Sequence, residues 1–176
     1  MSERLDRLIG TLARLTALAG GFVLTALIVI TVVSVSGRAL VFAGLGPIPG
    51  DFELVEAGTA FAVFAFLPWC HYQRGNAVVE VLTMHFNDLA NRFIDIAANF
   101  LMLAFAIIIC WRHLLGTLDK RSYSETTFIL QFPIWWAYSA SLIGAVVFVI
   151  VAAFCLWRSI AEHKSGKNQS ASGEML

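Results

Sequence analysis

Residues 15–37 read LTALAGGFVLTALIVITVVSVSG, an apolar run without one charged side chain. As a helix rising about 1.5 Å per residue it would be about 34 Å long, enough to cross a hydrocarbon core of about 30 Å. Arg4, Arg7 and Arg14 precede it, and Ser34-Val35-Ser36 before Gly37 superficially resembles a signal-peptide cleavage site. A secretory apolar segment is only about 7–15 residues long, so a retained transmembrane helix is expected here.

Three further runs have the same character. A second extends over 52–72, opened by Pro47, Pro49, Gly50 and Asp51, whose carboxylate can cap free backbone N–H groups. A third covers 93–111, apolar apart from Asp95 and Asn99, and a fourth, 133–157, holds no charge. Pro133 opens the last run, where a missing N–H costs nothing because the first helical turn has no acceptor for it. The whole sequence is 59% hydrophobic and 14% charged, against roughly 45–50% and about 25% in soluble proteins. The expected fold is an all-α integral membrane protein of four transmembrane helices forming one domain over residues 1–160.

The tryptophans support these boundaries independently of hydropathy. Trp69, Trp111 and Trp157 fall at C-terminal ends of runs and Trp135 with Trp136 at an N-terminal one, the aromatic belt expected at headgroup depth. Orientation follows from Lys and Arg. A cytoplasmic N-terminus collects Arg4, Arg7, Arg14, Arg74, Arg92, Arg158, Lys164 and Lys167 on that side and leaves Arg38, Arg112, Lys120 and Arg121 on the other. The positive-inside bias therefore predicts both termini in the cytoplasm.

Between the second and third runs, Val78, Leu82, Phe86, Leu89 and Phe93 recur every three or four residues, with Glu80, Asn87, Asp88 and Arg92 elsewhere around the helix. This pattern predicts an interfacial amphipathic helix lying on lipid. Leu5, Leu8, Ile9 and Leu12 make a smaller stripe of the same kind, and the Ser-, Gly-, Lys- and Asn-rich tail 161–176 is expected to be disordered.

Several function classes are poorly matched. The net charge is zero and no RNA- or DNA-binding motif is present, so nucleic acid is set aside. Cys70, Cys110 and Cys155 lack metal or redox spacing and read as small apolar fillers. His71, His85, His113 and His163 are expected outside the uncharged cores, unsuited to a haem held between helices. With no phosphate loop, HExxH or nucleophile elbow, neither catalysis nor a cofactor is expected of this chain.

Acidic and small residues are the remaining candidates. Asp51, Glu53 and Glu56 lie in the first turns of helix two, Glu53 and Glu56 sharing a face. They could meet a cation on another membrane subunit, or merely sit in the favourable field of the helix N-terminus near Arg38. Gly58 and Ala62, then Ala137, Ser141 and Ala145 with Ala140 and Gly144, recur at four-residue spacing. They permit close helix approach, within this bundle or to a partner. Asn99 reads as an interhelical hydrogen bond, and Phe61, Phe64 and Phe66 as lipid or helix contacts. No ionisable group marks the middle of a span, so an accessory membrane protein is favoured over a self-sufficient transporter.

Three segments then resemble one family. Gly50-Asp51-Phe52-Glu53-Leu54-Val55-Glu56, Arg74-Gly75-Asn76-Ala77-Val78-Val79-Glu80-Val81-Leu82 and Pro133-Ile134-Trp135-Trp136-Ala137-Tyr138 are similar, in that order, to segments of the small membrane subunit (DctQ) of tripartite ATP-independent periplasmic (TRAP) transporters. Asn76 stands where the family often has histidine, and Glu80 where aspartate is usual. The resemblance implies a bacterial inner-membrane scaffold for a larger membrane subunit that holds the substrate and ion sites. It also implies ion-driven uptake, usually with Na+, of a carboxylate-bearing solute brought by a periplasmic binding protein. Under it, Arg38, Asp51, Glu53, Glu56, Pro133, Trp135, Trp136 and Tyr138 become candidate subunit or periplasmic contacts, and Arg74, Gly75 and Glu80 mark the cytoplasmic interfacial segment. The competing readings are a membrane-anchor subunit of a respiratory complex and a small oligomeric exporter.

Overall fold

The computed structural model describes residues 2–73 and 88–165. Four long helices make up nearly all of it: α1 (Ser2–Ala39), α2 (Asp51–Tyr72), α3 (Asp88–Ser122) and α4 (Ile134–Ser165). All four are long and apolar enough to cross a membrane. A single 3₁₀ turn, Val41–Ala43, follows α1. The amphipathic segment expected around Val78–Phe93, with Arg74, Gly75 and Glu80, lies outside the described residues up to position 87.

The helices overrun the apolar segments read from sequence. α1 starts at Ser2, so the Leu5–Leu12 stripe belongs to the same helix as the first span. Of that stripe only Ile9 turns inward, against Ala13, Val147, Val151 and Cys155, while Leu5, Leu8 and Leu12 are exposed. α3 begins at Asp88 and continues to Ser122, and α4 continues through Ser165 into the expected tail. Hydropathy marks where the solvent changes, and a hydrogen-bonded helix need not stop there.

The packing order is α1–α2–α4–α3, with α2 and α4 against each other at the centre, α1 on α2 and α3 on α4. Half of the most apolar stretch of α4 is buried, against 6% of that of α3. Small residues make this row possible. Gly58 lies under Leu27 of α1, and Gly20 of α1 meets Ala65 and the Ala62 carbonyl of α2. Between α2 and α4 the backbone comes close at Gly144, where an added Cβ would fall 2.8 Å from the carbonyl carbon and oxygen of Phe64. That carbonyl is four residues before Pro68, a buried proline inside α2. Pro68 has no N–H to give it, so the position combines a freed acceptor with a neighbour lacking a side chain.

One end of the row carries the start of α1 and the ends of α2 and α4. Tyr72 donates its hydroxyl to the Asp6 carbonyl (3.3 Å) and lies over Gly10, while Arg158 is 3.7 Å from the Asp6 carboxylate and above the Tyr72 ring. The connections α1–α2 and α3–α4 lie at the other end.

Candidate functional site

The connections at that second end are built around carboxylates of α2. Gly50 occupies the N-cap with φ 76°, so Asp51 is already in the first turn. Asp51 Oδ1 accepts from the Phe52 N–H (2.8 Å), and Oδ2 accepts from the hydroxyl of Ser34 on α1. Ser34 in turn accepts from the Ile48 N–H (3.2 Å) and is fully buried. One carboxylate thus joins α1, the connecting loop and α2. Arg38 stands 3.9 Å away with most of its side chain in the open, a contact of little energetic weight.

Glu53 does not pair with Arg38. Its two oxygens accept from consecutive backbone N–H groups, Ile129 (2.7 Å) and Leu130 (2.9 Å), more than seventy residues downstream. The α3–α4 loop is folded back on itself as well: Thr127 N–H reaches the Phe132 carbonyl (3.1 Å) and Ile134 N–H the Glu125 carbonyl (3.0 Å). Lys120 closes its base through Glu125 at 2.6 Å, and Leu130 lies on Gly50. Glu56, a turn deeper on α2, is exposed on the outside of the bundle.

The aromatic entry to α4 separates into two roles. Trp136 is exposed, whereas Trp135 carries the Arg121 guanidinium over its ring at 5.5 Å. Tyr138 turns inward and stacks on His113 (5.3 Å between centroids), whose other neighbour is Phe64 at 4.9 Å. His113 Nε2 lies 2.8 Å from Ser141 Oγ and 3.1 Å from the Tyr138 carbonyl. Placing the histidines outside the cores is therefore wrong for His113; His71 does lie in the last turn of α2, where it is buried edge-on to Phe148. The third helix runs eleven residues past Trp111, and the extra turns carry His113 back onto the packed face. His113 packs further inside than His71, against Phe64 of α2 and Tyr138 and Ser141 of α4. Asn99 bridges helices as its position suggested, its amide reaching Ser159 Oγ at 3.0 Å.

Asp51 with Arg38 and Ser34 therefore forms one cluster, Glu53 with the loop before Pro133 a second, and Tyr138 with His113 a third. The roles of Ser34, His113 and Ser141 as buried polar partners were not anticipated from the sequence. Only the helical spacing Met102, Ala106, His113, Thr117 hinted that His113 shares a face with buried residues. Among the described residues no group of three or more His, Cys, Asp or Glu side chains is arranged to hold a metal.

The polar side chains described above mostly tie the chain's own helices and loops together. The family model for the DctQ component of tripartite ATP-independent periplasmic transporters matches residues 27–162. The chain belongs to this family and is a multi-pass membrane component of a transport system. Searches of curated proteins and of solved structures returned no match.

Proposed function

We propose that this chain is the fixed scaffold of a TRAP-type secondary transporter, holding a larger membrane subunit while that subunit moves solute and ion. The family match carries this reading, and two features of the row support it. The outer helices expose broad apolar faces, Phe22, Ile28 and Val32 on α1 and Phe100, Leu101 and Ile108 on α3, surface open to a partner helix as well as to lipid. Glu56, exposed within α2, is costly against hydrocarbon and is accounted for by a cationic or hydrogen-bonding group on a partner. The transported solute is proposed to bear a carboxylate, to be delivered by a periplasmic binding protein and to be driven by Na+ bound on the large subunit. In this reading the Asp6–Arg158 end faces the cytoplasm with both termini, and the Asp51–Glu53 end faces the periplasm.

Purification from native membranes in mild detergent tests the proposal. A larger polytopic subunit should accompany the chain in fixed proportion, and recovery of the free chain alone overturns the scaffold role.

A further inference from the structure

The α3–α4 loop displays its largest apolar side chains outward: Phe128 is 98% exposed and Ile129 60%, and Phe52 beside them on α2 is 77% exposed. Their depth follows from α2. Its 22 residues make a helix of about 33 Å, close to the thickness of the hydrocarbon core, so its first turn lies at the boundary between acyl chains and headgroups. Glu53 in that turn binds the N–H groups of Ile129 and Leu130, and fixes the loop at the same level. A loop meant for water has no need to satisfy its own backbone donors. A loop pressed toward acyl chains gains by doing so, because hydrocarbon offers no acceptors. Here the donors of Thr127, Ile129, Leu130 and Ile134 are all met within the chain. The composition agrees: residues 126–133 and 39–50 contain no charged side chain, and the exposed apolar surface continues from that of the spans.

We propose that Phe128, Ile129 and Phe52 form an apolar foot seated in the interfacial layer of the bilayer, its occupant being lipid, with Glu53 holding the foot at that depth. The inference rests on the four spans and not on the subunit reading, so each can fail without the other.

The test uses the full chain with Cys70, Cys110 and Cys155 changed to Ala and a single Phe128→Cys carrying the fluorophore NBD, in phosphatidylcholine vesicles. Expected are blue-shifted emission and several-fold stronger quenching by nitroxide-bearing acyl chains than by aqueous iodide. Phe52→Cys, on a regular helix, should behave alike and guards against a local disturbance of the loop. Water-like emission with iodide quenching equal to that of Ser124→Cys overturns the proposal. So does a label shielded from both quenchers in the complex purified from native membranes, since protein would then be the occupant.

Discussion

Replacing Gly144 by alanine puts a methyl group against the backbone of a neighbouring helix. The new Cβ would lie 2.8 Å from the carbonyl carbon and oxygen of Phe64 and 3.0 Å from its Cβ. Carbon contacts are comfortable from about 3.5 Å, so α2 and α4 must part locally by roughly 0.7 Å, a displacement that forfeits about a quarter to a half of each affected contact. The obstructing atoms are backbone and cannot swing aside. Overpacking of this kind costs about 1–3 kcal/mol, and the intrinsic preference of a helix for alanine returns roughly 0.5–1 kcal/mol. The central values leave a net loss of about 1.25 kcal/mol, which by the scaling of chains this size lowers Tm by about 2–5 °C. Gly21→Ala is the matched control, because nothing lies within 4 Å of its added Cβ. It should hold or raise Tm. Thermal unfolding of both variants in the same mild detergent reads the difference, and a Gly144→Ala protein as stable as the parent, or a Gly21→Ala protein equally damaged, refutes the argument.

Other expectations follow from single contacts. Glu53→Ala releases the loop, so amide exchange at Ile129 and Leu130 should accelerate many-fold by hydrogen-exchange mass spectrometry, while Glu56→Ala leaves it unchanged. His113→Ala empties the space between Phe64 and Tyr138 and should cost about 1–3 kcal/mol; His113→Phe keeps the stack and should cost less in the same unfolding measurement. Asn99→Leu removes one interhelical hydrogen bond, worth about 0.6 kcal/mol inside membranes, so its Tm should fall only slightly. Glu56→Gln should weaken either co-purification of the large subunit or solute uptake, and unchanged values for both would remove Glu56 from the interface.

The four helices were legible because transfer into lipid is an additive property of a run: 15–37 and 133–157 declare themselves without any knowledge of their neighbours. Helix ends were less so, since Leu5, Arg112 or Lys164 can continue a helix in the headgroup layer as readily as end it. The candidate contacts divide along the same line. Asp51 and Glu53 stand out as charges at a span boundary, but their partners depend on which loop folds over α2. Ser34 is one small polar residue among valines, and the N–H groups of Ile129 and Leu130 have no sequence signature at all. His113 was misplaced because the third run ends at Trp111 by hydropathy, while the packed face of α3 runs on to Thr117. Pro68 and Gly144 are each unremarkable alone, and only their juxtaposition across α2 and α4 gives them meaning.

α1 has 38 residues and so measures about 57 Å, more than the roughly 40–45 Å of a whole bilayer. A free helix of that length would lean over until it matched the membrane around it. This one is fastened at both extremities, by Asp6 to Arg158 and Tyr72 and by Ser34 to Asp51. Its inclination is therefore coupled to that of α2 and α4, and a change of tilt in a thinner or thicker bilayer involves the helices together and not α1 alone.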